Sequence, residues 1–138
     1  MRHITPHILV AEDNREHREA LARIFGRCGY RVTTAGDGAE ALGVLAGADV
    51  DLVVTDLRMP RLGGMALLRE LREIHPEVPV IIVTAYGDDV SALEAVEWGA
   101  VAFLQKPIRR EQILAAAARA LGQRIGQAAM GANNGTGL

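Results

Sequence analysis

Four short runs in the chain are apolar at nearly every position, and they constrain the fold more than any other feature. They lie at Ile8–Ala11, Leu52–Thr55, Val80–Val83 and Val101–Leu104. A strand that is apolar on both faces must be covered on both faces, which is the situation of a strand in a parallel sheet with helices on either side. A fifth run, Arg31–Ala35, is more mixed and predicts an edge strand.

Between these runs, apolar residues recur at helical spacing. The predicted helices are 17–28, 38–46, 67–74, 90–98 and 113–121, the last ending near Gly122. Cys28, the one cysteine, falls on the apolar face of the first helix and is predicted to be a small core residue. The order βαβαβαβαβα predicts an α/β fold, a doubly wound five-stranded parallel sheet with five helices.

The 138 residues fit one domain, which we place at 1–121. Residues 122–138 are small, polar and rich in glycine, so they are predicted to form a flexible tail or a truncated linker to a further domain. The net charge is −2, and no helix shows the basic face of a groove reader, so this chain is not expected to bind nucleic acid directly. No transmembrane run or signal peptide is evident, which predicts a cytoplasmic protein without a membrane partner.

Polar residues follow four of the predicted strands. Glu12 and Asp13 come after the first strand, Asp56 after the third, Thr84 after the fourth and Lys106 after the fifth. In open parallel sheets, ligands bind beyond the carboxyl ends of the strands. Lys106 is also the one lysine among 15 lysines and arginines. The sequence therefore predicts that three acids, a hydroxyl and an ammonium group meet at one edge.

Three crowded carboxylates repel one another unless a cation is bound, and an all-oxygen set suits Mg²⁺. Zinc is disfavoured because the histidines are scattered and the cysteine has no second thiol nearby. A cation beside a lysine can neutralise the oxygens of a phosphoryl group, and an aspartate can attack it. No other cofactor is expected.

Several motifs occur in order over about Ile8 to Leu121, and here the sequence resembles the receiver domains of two-component response regulators. The motifs are Ala11–Asn14, Thr55–Pro60, Gly64, Val83–Gly87, Gly99-Ala100 and Lys106-Pro107. The resemblance implies the flavodoxin-like receiver fold, with strand order 2-1-3-4-5. It also implies a cis peptide bond between Lys106 and Pro107.

The resemblance also implies roles at the site. Asp56 would be the phosphoacceptor, and Lys106 would pair with a phosphoryl oxygen. Glu12 and Asp13, together with Asp56, would hold Mg²⁺, one of the first two through water. The backbone carbonyl of Arg58 would be a further metal ligand.

Two further residues match the switch of the family. Thr84 would close on the phosphoryl group, and Phe103 would be the aromatic ring that responds to it. The change would reach the face made by the fourth helix, fifth strand and fifth helix, about Val90–Leu121. Arg58 and Tyr86 match positions that, in the family, tune the lifetime of the phosphoryl group.

The implied function is a phosphorylation-dependent signalling switch rather than an enzyme. Its partners would be a sensor histidine kinase, a downstream output domain or protein, and a second copy of the chain on phosphorylation. The segment Val83–Asp88 looks like receivers attached to DNA-binding regulators. A stand-alone receiver and a receiver from a hybrid kinase fit the sequence equally well.

Two functions of other classes fit the sequence less well. A phosphohydrolase of the haloacid dehalogenase type also uses an aspartate, Mg²⁺ and a lysine, but it requires a second aspartate where this chain has Arg58. A nucleotide-binding domain would require a glycine-rich loop after the first strand, and the chain has none there.

Overall fold

A computed structural model describes the backbone of residues 5–85 and 87–133, with side chains as far as residue 122 except that of residue 89. His3, Tyr86 and residues 134–138 of the predicted tail lie outside the described residues.

The five predicted strands form one parallel sheet. They are β1 (His7–Ala11), β2 (Arg31–Ala35), β3 (Leu52–Thr55), β4 (Val80–Thr84) and β5 (Ala102–Gln105). Their spatial order is β2-β1-β3-β4-β5, which confirms the predicted fold and places β2 at an edge. From β1 the chain adds β2 on one side, and it then adds β3, β4 and β5 on the other side. The crevice between β1 and β3, where the order of addition reverses, is where a ligand is expected.

Five helices connect and follow the strands. They are α1 (Arg15–Arg27), α2 (Gly38–Gly47), α3 (Gly64–Ile74), α4 (Asp89–Glu97) and α5 (Arg110–Asn133). The side chains of Asn14, Asp37 and Asp88 cap α1, α2 and α4 by accepting hydrogen bonds from backbone N–H groups in the first turn. Just beyond α1 and α4, Gly29 and Gly99 adopt φ of 90°, a conformation that ends a helix and favours glycine.

The sheet has a hydrophobic core on each face. On β1, Leu9 packs into a core completed by α2, α3 and α4, whereas Ile8 and Val10 pack into a core completed by α1 and α5. Successive residues of a strand point to opposite faces. This alternation explains why the central strands are apolar at nearly every position.

Three expectations about local structure were wrong. The fifth helix does not end near Gly122 but continues to Asn133, because glycine weakens a helix without stopping it and most residues beyond it are good helix formers. Cys28 is exposed rather than in the core, because α1 ends at Arg27 and the chain turns away there. The fourth apolar run was expected to be fully covered, but β5 is the second edge strand and is only half-buried.

Within the described residues, no helix combines the length and the apolar character needed to cross a lipid bilayer.

The α1–α5 core can be tested at Phe25, which is fully buried and packs edge-on against Tyr30 with ring centroids 6.1 Å apart. Replacing Phe25 by alanine should lower the free energy of unfolding by about 3–5 kcal/mol, because the cavity cannot fully collapse. The control Ile74→Ala removes an exposed side chain and should change it by about 0.5 kcal/mol or less. Urea unfolding of both variants would measure this, and similar losses in the two would contradict the assigned core.

Candidate functional site

Backbone hydrogen bonds extend the sheet by one residue and bring the polar residues to the same edge. The N–H of Glu12 donates to Ala35, that of Asp56 to Ala11 and that of Lys106 to Thr84, at 2.8–2.9 Å. In each case, the residue that follows one strand lies beside the last residue of the neighbouring strand. The predicted convergence of polar residues on one edge of the sheet is observed.

Three carboxylates form a cluster at this edge. Oxygen atoms of Glu12, Asp13 and Asp56 all lie within 4.8 Å of one another. Glu12 and Asp56 are only 1% and 4% exposed, whereas Asp13 is exposed to solvent. Buried carboxylates with one open, solvated partner offer the hard oxygen ligands and the accessible water positions that Mg²⁺ prefers. The residues present therefore fit a magnesium ion.

Lys106 connects the two buried acids. Its Nζ atom donates to Glu12 Oε1 at 2.5 Å and to Asp56 Oδ2 at 2.9 Å, and it lies 3.0 Å from His17 Nδ1. Burial disfavours the ammonium ion, but the bonds to the two carboxylates outweigh that effect and raise the pKa of Lys106. The Lys106–Pro107 peptide bond is cis, in agreement with the resemblance.

The pKa values of the two buried acids shift in opposite directions. Burial raises the pKa of Glu12, and its bonds to Lys106 and Asn14 only partly offset this. Burial acts in the same direction on Asp56, but Lys106, the N–H of Arg58 and the Thr84 hydroxyl together bring the pKa of Asp56 below its ordinary value. Asp56 is therefore a carboxylate at neutral pH, with its charge available for a cation or for nucleophilic attack.

Arg58 and Thr84 both contact Asp56, whereas Phe103 lies on β5. The N–H of Arg58 donates to Asp56 Oδ1 at 3.1 Å, so both oxygens of this carboxylate are held in place. Thr84 is fully buried. Phe103 was expected to be buried but is half-buried, because β5 is an edge strand. Its ring lies against Gly87, where an added Cβ would be 2.9 Å from Phe103 Cε1.

Sequence reasoning missed two contributors from α1. His17 begins the first predicted helix, and in the structure it is exposed and lies beside Lys106. Arg18 Nη1 donates to the backbone carbonyl of Glu12 at 2.9 Å, which fixes the peptide that follows β1. Their spacing gave a signal: residues one helical turn beyond Asp13 at the start of α1 must lie near the same sheet edge.

Comparison with known families identifies this arrangement. The family model of the response regulator receiver domain matches residues 8–118. The chain is a response regulator receiver domain. It belongs to a class of signalling domains found in two-component systems, and its sheet order is that of this fold.

Curated relatives of this receiver domain include transcriptional regulators. It is 39% identical over 123 residues to the transcriptional regulatory protein GlrR of Escherichia coli, covering 89% of this chain and 28% of GlrR. It is 37% identical over 114 residues to the DNA-binding transcriptional regulator NtrC of the same species, covering 83% of this chain and 24% of NtrC. The chain thus spans less than a third of the length of these relatives.

Solved structures give the same result for the fold. A receiver domain protein from Clostridium thermocellum matches with a TM-score of 0.84 and 31% identity, covering 88% of this chain and 98% of that one. NtrX from Brucella abortus, in complex with ADP, matches with a TM-score of 0.87 and 31% identity, covering 93% of this chain and 30% of NtrX.

The electrostatic role of Lys106 in this receiver domain can be tested by the variant Lys106→Met. Losing the ammonium group should raise the pKa of both Asp56 and Glu12, because each would lose a hydrogen bond and a neutralising charge. Titration of the carboxyl carbons by NMR would measure both values. Asp37, which lies next to Arg61 and not Lys106, is the internal control and should not change. Unchanged values for Asp56 and Glu12 would contradict the role.

The pKa shifts of Asp56 and Glu12 have opposite consequences for the stability of the fold. With its pKa lowered in the fold, Asp56 stabilises the native state above its unfolded pKa, and this contribution is lost as the pH falls through its folded pKa. Glu12, with its pKa raised, costs stability once the pH is above its unfolded value.

Proposed function

We propose that this receiver domain is a phosphorylation-dependent switch in which Asp56 accepts a phosphoryl group from a sensor histidine kinase in a Mg²⁺-dependent reaction. The observation that carries the proposal is the Asp56 carboxyl group, held by Lys106 and the Arg58 N–H beside two further acids. Nothing in that arrangement provides a second aspartate two positions after Asp56, as a dehalogenase-type phosphohydrolase would need.

In the proposed reaction, an oxygen of Asp56 forms a bond to phosphorus while the bond between phosphorus and the kinase histidine nitrogen breaks. Lys106 would neutralise part of the charge on the phosphoryl oxygens. Glu12, Asp13, Asp56 and the carbonyl of Arg58 would hold Mg²⁺. When bound, the ion supplies charge neutralisation and orientation of the phosphoryl oxygens. Slow hydrolysis of the acyl phosphate would reset the switch without turnover of other phosphoesters.

An apolar groove beside the site is suited to binding a helix of the kinase. It runs between α1 and the segment after β5 and is lined by His17, Ala20, Leu21, Ile24, Ala85, Lys106, Pro107 and Ile108. An amphipathic helix can lay its apolar face in such a groove. A kinase helix docked there would bring its phosphohistidine next to Lys106 and Asp56.

The relay to the output face would begin at Thr84, whose hydroxyl contributes to the lowered pKa of Asp56. A phosphoryl group on Asp56 would give this hydroxyl a stronger, charged acceptor. Thr84 pairs with Gln105 on β5, two residues beyond Phe103. The side chains of Gln105 and Phe103 both lie against Gly87, so a shift of Thr84 can change the packing of this ring. The outcome would be a population shift at α4, β5 and the start of α5.

The relatives support a proposal for the output of the whole protein. Because GlrR and NtrC are transcriptional regulators, we infer that this receiver is the phosphoacceptor portion of a cytoplasmic transcriptional regulator. The segment 122–138, of which residues to Asn133 continue α5, would then lead to the output domain. DNA binding would reside in that domain and not in this chain.

The acceptor role predicts that the purified chain gains the mass of one phosphoryl group when incubated with Mg²⁺ and acetyl phosphate. The variant Asp56→Asn and a chelator-treated sample should gain none, because the nucleophile or the charge neutralisation is missing. The variant Asp51→Asn, which alters the acid that precedes β3 and lies outside the carboxylate cluster, is the control and should be labelled. Intact mass spectrometry measures this, and labelling of Asp56→Asn would overturn the assignment.

The helix α4 belongs to the proposed output face, and its apolar side chains are open to solvent. Val90, Leu93 and Val96 are 61–77% exposed. Exposed apolar side chains grouped in this way mark interaction surfaces. We expect the phosphorylated chain to dimerise through this helix, and Leu93→Glu to remain monomeric although it is still labelled. The control Ala46→Glu adds the same charge on α2. Sedimentation velocity measures both, and dimerisation of Leu93→Glu would contradict the proposed face.

A further inference from the structure

The segment 57–63, between β3 and α3, carries Arg58 and is folded back against the residue that precedes it. The N–H of Gly64 donates to the Leu57 carbonyl at 2.9 Å. A Cβ on Gly64 would lie 2.2 Å from the backbone oxygen of Asp56, so the base of the segment closes only because residue 64 is glycine. This contact fixes one end of the segment.

The other end of the segment is a tight three-residue turn. The N–H of Leu62 donates to the Pro60 carbonyl at 2.7 Å, and Arg61 between them has φ of 67°. Arg61 is the one non-glycine residue with a positive φ in the described part of the chain. A three-residue turn of this kind, with a positive φ at its central residue, is strained for any residue with a side chain. Something outside the turn must therefore hold Arg61 in place.

The compensating contact is an ion pair with Asp37, which lies 24 residues earlier in the chain. The side chain of Arg61 is 72% exposed, but that of Asp37 is only 2% exposed. Asp37 Oδ1 caps α2 by accepting from the Glu40 N–H at 2.8 Å, and Oδ2 accepts from Arg61. Both oxygens of a buried carboxylate are therefore used, unlike those of an ordinary surface ion pair, which contributes little.

A backbone contact lies next to the ion pair. The N–H of Gly38 donates to the Leu62 carbonyl at 2.9 Å. A Cβ on Gly38 would be 2.3 Å from that oxygen, which no side chain allows without a shift of the backbone. The first residues of α2 thus hold the tip of the segment through one charged and one backbone contact.

From these contacts we propose that Asp37 and Arg61 are positioning residues of the phosphoryl-transfer site. Together with the Gly38–Leu62 contact, they hold the segment 57–63 at its tip while Gly64 holds its base. Arg58 lies between the two fixed ends, and its peptide supplies the N–H that orients Asp56 Oδ1 and the carbonyl assigned to Mg²⁺. This inference rests on the proposed function, because the Arg58 carbonyl is assigned to Mg²⁺ there.

The variants separate positioning from stability. Arg61→Gly removes the guanidinium group and also relieves the positive φ, so its effect on unfolding should be small. Arg61→Lys keeps the charge, and Asp37→Asn keeps a cap for α2 while removing the charge. Gly38→Ala disturbs the backbone contact and leaves the Arg61 side chain intact. The control Arg69→Ala removes an ion pair with Glu94 on the surface between α3 and α4.

Each variant is compared with the unmodified chain by calorimetric titration with Mg²⁺, by the rate of labelling with acetyl phosphate and by urea unfolding. Arg61→Gly should weaken Mg²⁺ binding by about tenfold, the lower end of the loss expected when an outer contact of a metal site is removed. Asp37→Asn and Gly38→Ala should weaken it similarly, and Arg61→Lys should restore most of the affinity. In the double variant Asp37→Asn/Arg61→Gly, the losses should not add, because the two residues act through one contact.

The inference is overturned if Arg61→Gly and Gly38→Ala bind Mg²⁺ and take the label as the unmodified chain does, whatever their stability. It is also overturned if Arg69→Ala loses affinity to the same extent, since the effect would then be general. An unmodified chain that neither binds Mg²⁺ nor takes the label would overturn the proposed function itself, and this inference with it.

Discussion

The ammonium group of Lys106 lies between two carboxylates that are nearly inaccessible to solvent, and the chemistry of the site depends on this contact. Buried charges are costly unless they are paired and hydrogen-bonded. Glu12 and Asp56 can share the switch point of the sheet because one residue from the end of β5 reaches both. The pairing is unequal: it leaves the pKa of Glu12 raised and that of Asp56 lowered. Asp56, the acid with the lowered pKa, is the one to which we assign phosphoryl transfer.

The site combines a rigid part with segments that lie at its margin. Asp56 and Thr84 are held in strands or at their ends, where backbone ladders fix their positions. Arg58 instead lies in a segment held by contacts from α2 and from the start of α3, and Phe103 lies on an edge strand against Gly87. Residues in the sheet can orient the reacting groups, whereas residues at the margin can change their packing. A switch needs both, because the phosphoryl group must bind in one geometry and then favour another packing.

How far the sequence predicted this structure depends on the range of the interactions. The strands, their parallel arrangement and the gathering of Glu12, Asp13, Asp56, Thr84 and Lys106 follow from apolar runs and from what comes after each run, which are local patterns. The predicted burial of Cys28 and the predicted end of α5 were wrong, because helix ends depend on turn geometry and on weak preferences near glycine. The position of His17 beside Lys106, 89 residues away in sequence, was missed because helical periodicity identifies a face but not its neighbour.

The sequence by itself determined the α/β class, the edge at which the polar residues meet and the type of chemistry that three acids and one lysine support. Only the tertiary structure raises the pKa of Glu12 and lowers that of Asp56, because burial and hydrogen bonding act through atoms that are distant in sequence. It also decided that Asp37, which local patterns mark only as a helix cap, holds Arg61 and with it the segment that carries Arg58. An ion pair across 24 residues leaves no periodic trace, since either partner alone resembles an ordinary surface charge.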